Sequence, residues 1–236
     1  MIELFQEYKV PIFAILGGAL PAMFWLWFWL RQEDHQQPEP KGLIIMSFIL
    51  GGILVLIAMW LERYSLNFVT DNKIQIIVWA TIEELLKFAG VMIIISGNSF
   101  VDEPIDYPIY FITVALGFAA FENFSYLLQE NLGGKIIGLI TGNLRFLGST
   151  LLHSISSGII GSAMALSFYT KTYRGIYTTA GIILAITLHS VFNFFIMKGS
   201  GENFLSVFGF LWVVAIINIL VFEKIKRMKN YIPITQ

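Results

Sequence analysis

The chain has 236 residues, 56% of them hydrophobic and 13% charged, with 21 phenylalanines and a mean hydropathy of +0.73, a composition that excludes an ordinary soluble domain and indicates an integral membrane protein. A formal charge of −1 leaves no polybasic or polyacidic surface, so no nucleic-acid partner is expected. Cysteine is absent, which excludes disulfides, thiolate nucleophiles and cysteine-ligated metal centres and leaves carboxylate, imidazole and hydroxyl groups for any chemistry.

Apolar runs predict an all-α, polytopic transmembrane bundle of about seven spans forming one membrane domain over 1–236. The spans fall at about 10–30, 42–61, 74–95, 108–128, 146–169, 176–197 and 204–222. The first run ends in Trp25, Trp27, Phe28 and Trp29, an interfacial aromatic cluster. It is too long, and too poor in preceding basic residues, for a cleaved signal peptide. The loop over 31–41 places His35 in solvent.

The third span carries Glu83, Glu84 and Lys87. A charge at the centre of a spanning helix costs roughly 3 kcal/mol, against a return of about 0.5 for each large apolar residue. Three such charges are too costly for packing accidents. On a helix Lys87 can pair with either glutamate while the other points about 100° away, so which glutamate is reactive stays open. A solvated turn is expected at 102–107, where Asp102, Glu103 and Asp106 gather. The fourth span brings Phe118, Glu122 and Tyr126 onto one face, with Ala115 and Ala119 offering a surface for close approach.

The run 136–144 is too short to span and is expected to be interfacial or re-entrant before Arg145. The fifth span then carries His153 with Ser149, Ser156 and Ser157 a turn to either side, and the sixth carries His189 and Asn193 four apart. The last span has no ionisable residue, its Asn218 reads as structural, and the basic tail 223–229 suits an anionic leaflet.

Counted along alternating spans, Glu83, Glu84, Glu122, His153, His189 and Asn193 all lie roughly 6 to 15 Å below one membrane surface. Four helices thus form a catalytic core over 74–197. With the N-terminus outside, the cytoplasmic segments hold eight Lys and Arg against six opposite, which puts the C-terminus in the cytoplasm and the polar level in the outer leaflet.

Carboxylates and imidazoles at one depth point to water activation. Glu83 or Glu84 serves as general base assisted by Lys87, and Asn193 serves as oxyanion donor. His153, His189 and Glu122 polarise the carbonyl or bind a metal, since two His and one Glu are a zinc ligand set that leaves a position for water. Zn2+ is therefore the cofactor to test, although no HExxH helix is present. A proton-coupled transporter or a non-catalytic scaffold is the alternative, because buried Glu and His chains also relay protons.

The ordered set Glu83-Glu84-Leu-Leu-Lys87, Asp102-Glu-Pro-Ile-Asp106, Gly117-Phe-Ala-Ala-Phe-Glu122-Asn123 with Tyr126, Arg145 followed by His153, and His189-Ser-Val-Phe-Asn193 resembles the motifs of PrsW-type intramembrane proteases. That family shares a superfamily with CAAX-prenyl endopeptidases and bacteriocin-processing enzymes. Lys87 in place of a more distant Arg, and Glu122 where the prenyl endopeptidases carry His, favour the PrsW branch. The resemblance implies cleavage of a membrane-anchored protein or peptide, an anti-sigma factor in the best-known members, outside the cytoplasmic face of a prokaryotic plasma membrane.

Overall fold

The computed structural model describes residues 2–32, 38–129, 136–198 and 204–228. Seven helices follow one another: α1 (Ile2–Leu30), α2 (Lys41–Ser65), α3 (Asn72–Ile95), α4 (Asp106–Gln129), α5 (Ile136–Leu166), α6 (Arg174–Lys198) and α7 (Phe204–Met228), with a 3-10 turn at Lys171–Tyr173 before α6. No strand occurs among the described residues. His35 and Lys229 lie outside them, whereas the rest of the expected basic tail, 223–228, is the end of α7.

Five helices, α2, α4, α5, α6 and α7, are long and apolar enough to cross a membrane. In α3 every 18-residue stretch contains Glu83, Glu84 and Lys87, which is why it is not among the five. Asp71 caps α3 by accepting from the backbone N–H groups of Lys73 and Ile74 at 2.8 and 3.0 Å. These bonds hold the Asp71 carboxyl below its ordinary value. At the other end Gly97 turns the chain away with φ +73°, a conformation glycine enters without steric cost.

The bundle is built around α4. Every residue from 103 to 120 is buried, as expected of a helix that is apolar on all sides. It packs against α5, α2 and α1, and more lightly against α3. The α2–α4 crossing is set by two glycines: a Cβ on Gly51 would stand 2.0 Å from the Val114 carbonyl oxygen, and one on Gly117 would stand 1.9 Å from that of Phe48. Only backbones without side chains can approach so closely, the device by which helices associate where water supplies no driving force.

Two expectations change. The run 136–144 is the first part of α5, a continuous helix of 31 residues and about 46 Å. A single Arg145 offers no reason for backbone hydrogen bonding to stop. The acidic turn before α4 is largely interior: Glu103 and Asp106 are buried, and Asp102 alone of the three is exposed. The Asp106 carboxylate accepts from the Glu103 N–H at 2.7 Å. Glu39, arriving before α2, accepts a hydrogen bond from the Tyr110 hydroxyl and shares another with Asp106. Burial pushes the Glu39 carboxyl above its ordinary value. Arg174 donates to the hydroxyl of Tyr107 and lies over its ring.

In α7, Asn218 is buried and accepts a 3.3 Å hydrogen bond from Ser162 of α5.

Candidate active site

At the opposite end of α4 from Asp106, the side chains of Glu83, Glu84 and Lys87 from α3, Glu122 from α4, His153 from α5 and His189 from α6 meet in one network. Lys87, Glu84, His153 and His189 are each at most 2% exposed, so their charges can be balanced only by one another.

The two adjacent glutamates have opposite environments. Glu84 is saturated: Oε1 accepts from the Lys87 ammonium at 2.7 Å, from His189 Nδ1 at 2.8 Å and from the Ser156 hydroxyl at 3.0 Å, while Oε2 accepts from Ser157 at 3.3 Å. Oε2 of Glu83 is buried without a hydrogen-bond partner. It faces Lys87 Nζ, His153 Nδ1 and His189 Nε2, each 3.8 Å away. Glu84 is thus locked in place, and Glu83 looks into a gap ringed by nitrogen.

The tautomers follow from the donors. Lys87 has only protons to offer, so His153 Nδ1 accepts its hydrogen bond at 2.8 Å, and His153 Nε2–H donates to Glu122 at 2.8 Å. His189 donates through Nδ1 to the Glu84 carboxylate, which leaves the Nε2 lone pair toward Glu83. The imidazoles lie nearly perpendicular at 5.0 Å. Phe118 forms one wall, its ring 5.5 Å from that of His153 and 4.8 Å from Lys87 Nζ, where the ring face steadies the cation.

A model of the PrsW family of intramembrane metalloproteases matches residues 39–221. The chain belongs to this family. It is similar to proteins named Protease PrsW from Geobacillus kaustophilus, at 27% identity over 92% of both chains, and from Oceanobacillus iheyensis, at 29% over 75% of this chain and 82% of the relative. A third, from Bacillus subtilis, is 25% identical over 85% of this chain and 92% of its own. No solved structure matches the chain. Family membership decides for an intramembrane protease over the transporter and scaffold readings.

The family's metal is tested by the donor set. A carboxylate oxygen of Glu83 and a ring nitrogen each of His153 and His189 lie within 4.8 Å of one another. Ligands about 2.1 Å from a tetrahedral zinc stand about 3.4 Å apart, so the observed 3.8 Å separations need only a small contraction. Both imidazoles also give their outer N–H to a carboxylate, His153 to Glu122 and His189 to Glu84, the support that metal-ligating histidines require. Glu83 Oε2 and His189 Nε2 fit a divalent ion as they stand, whereas His153 Nδ1 carries the Lys87 hydrogen bond and would have to release it to serve as the third ligand. Glu122 stands behind His153 and is 41% exposed, so the third position expected for it is taken in this geometry by Glu83.

Asn193, one turn beyond His189, is partly buried and makes no side-chain hydrogen bond among the described residues. Sequence reasoning noted Ser156, Ser157 and Phe118 but gave them no part. The signal was available for the serines, since small hydroxyls three and four residues after a buried His sit on its helix face. That they reach Glu84 depends on how α5 packs on α3.

Proposed function

We propose that this intramembrane protease hydrolyses a peptide bond of a membrane-anchored protein with water activated at Glu83. The observation that carries the reading is the unpartnered, buried Oε2 of Glu83 among three nitrogens at 3.8 Å. A carboxylate oxygen with a free lone pair, held away from bulk water, is where the proton of an attacking water can go. Glu83, His153 and His189 would hold a divalent ion, with Zn2+ the first candidate, and when bound it would polarise the scissile carbonyl and acidify a water.

The chain's own groups then divide the work. Glu83 accepts the proton, on a carboxylate oxygen left free of any ion, as the water oxygen joins the carbonyl carbon, and the same proton reaches the amine as the C–N bond breaks. Lys87 holds Glu84 ionised and Glu84 fixes the His189 tautomer. Asn193, one turn beyond His189, would offer its amide N–H to the developing oxyanion. The positive-inside count supports an external N-terminus, a cytoplasmic C-terminus and cleavage near the outer leaflet of a prokaryotic plasma membrane. An anti-sigma factor is the substrate class the family resemblance suggests.

The deciding experiment is metal analysis of purified protein alongside cleavage of single-span reporter peptides in proteoliposomes. The expected result is loss of cleavage on chelation and recovery with Zn2+. Undiminished cleavage by metal-free protein would remove the ion and leave Glu83 acting with the histidines alone.

A further inference from the structure

Ser154, Ser156 and Ser157 stand together on α5, all fully buried, yet their hydroxyls do different things. A serine inside a helix ordinarily turns its hydroxyl back onto a carbonyl of the preceding turn, which satisfies the donor without leaving its own helix. Ser154 does this, donating to the Leu151 carbonyl at 2.8 Å, and Ser167 does the same to Met164 at 2.9 Å. Ser157 donates instead across the bundle, to Glu84 Oε2 on α3 at 3.3 Å. Ser156 divides its hydroxyl between Glu84 Oε1 at 3.0 Å and the His153 carbonyl at 3.2 Å, and the bond between helices is the shorter.

The two serines thus take the two different oxygens of one carboxylate. Oε1 also holds Lys87 and His189, whereas the hydrogen bond of Oε2 among the described residues is the one from Ser157. The last torsion of a glutamate is broad, so a carboxylate held through one oxygen can swing and one held through both cannot. A swing at Glu84 would move the acceptor of the His189 Nδ1–H. That bond is what sends His189 Nε2 toward Glu83 Oε2, 3.8 Å away. A misplacement of about 1 Å at a reacting group can cost about 100-fold in rate.

We infer that Ser156 and Ser157 are positioning residues of the reaction centre, gripping both oxygens of Glu84 and, through Glu84, setting the His189 ring that faces Glu83. The inference rests on the reading of Glu83 as the group that activates water. It asks only for a hydroxyl donor at each position. Alanine removes that donor while keeping a strong helix former, so the backbone of α5 is left undisturbed.

The test compares Ser156→Ala, Ser157→Ala and the double variant with Ser154→Ala, which deletes an equally buried hydroxyl whose bond stays within α5. Glu83→Gln is measured alongside. The readouts are kcat and KM for a single-span reporter peptide in proteoliposomes, and Co2+ affinity, which a misfolded fraction does not lower as it lowers apparent kcat. Each single variant at 156 or 157 is expected to lose about 10-fold in kcat with KM little changed, and the double variant about 100-fold, with Co2+ bound correspondingly more weakly. Ser154→Ala is expected to stay within about 2-fold in every measure. Unaltered turnover and Co2+ affinity in the double variant would overturn the inference. So would Ser154→Ala falling as far as Ser157→Ala, because the loss would then follow from any buried hydroxyl of α5. If the double variant does not fold, the single variants against Ser154→Ala decide the matter in the same way. Cleavage abolished by Glu83→Gln with indifferent serine variants would overturn this inference alone; cleavage that persists in Glu83→Gln would overturn the Glu83 reading and this inference with it.

Discussion

The two ends of α4 hold two buried polar clusters that solve the same problem differently. Glu122 and Asp106 are sixteen residues apart, about 24 Å along the helix. Around Glu122 the carboxylates surround a buried ammonium and two imidazoles, and one oxygen, Oε2 of Glu83, is left without a hydrogen bond. Around Asp106 the acids are held by the Tyr110 hydroxyl, a backbone N–H and one another. The first arrangement keeps charge in place and leaves an acceptor facing a gap. The second ties a loop to the bundle; the first alone sets its carboxylates against an ammonium and two imidazoles.

The largest effect expected from breaking this contrast is at Glu83. Glu83→Gln keeps the shape and removes the proton acceptor, so reporter cleavage should fall about 100- to 10,000-fold while size-exclusion behaviour stays unchanged. Cleavage near the unaltered rate would take Glu83 out of the mechanism.

Next comes Lys87→Met, which leaves Glu84 and its neighbours without their cation. Removing one partner of a buried ion pair costs about 3 to 5 kcal/mol, so thermal unfolding in detergent should move down markedly and activity should vanish with it. An unchanged melting temperature would mean that the cluster's charges are balanced in another way.

At the far cluster the effects are smaller. Tyr110→Phe removes one hydrogen bond to Glu39 and should lower stability by about 1 kcal/mol with reporter turnover unchanged. A loss of turnover there would show that the two ends are coupled through α4.

The smallest effect concerns pH. Glu39 is held above its ordinary carboxylate value by burial. Such a group contributes its stability fully below the ordinary value and loses it as pH rises through the raised one. The melting temperature of Glu39→Gln should therefore gain on that of the unaltered protein as pH rises across the carboxylate range and above it. A constant difference at all pH values would show that Glu39 does not titrate differently on folding.

The helices were legible because apolar runs long enough to span a membrane fold as helices, and the gathering of Glu83, Glu84, Glu122, His153 and His189 at one level of the bundle was legible because a helix rises evenly. Both follow from one-dimensional counting. The separate environments of Glu83 and Glu84 were not legible, since adjacent helical residues point in different directions and only the packing of α5 and α6 against α3 decides which one meets Ser156, Ser157 and His189. Glu122 was placed at the right depth, but depth does not tell the inner side of His153 from the outer. The acids before α4 were misread because nothing in Asp102-Glu-Pro-Ile-Asp106 announces that the helix beginning there will be wrapped on all sides.

The length of α5 has a consequence for the end of the bundle that holds the candidate site. α4 and α5 run antiparallel, with His153 against Glu122. α4 ends seven residues beyond Glu122, whereas α5 begins seventeen residues before His153. About ten residues of α5, some 15 Å, therefore stand past the end of its neighbour. The overhang carries the α5 side of the helix pair further from Glu122 and His153 than the α4 side.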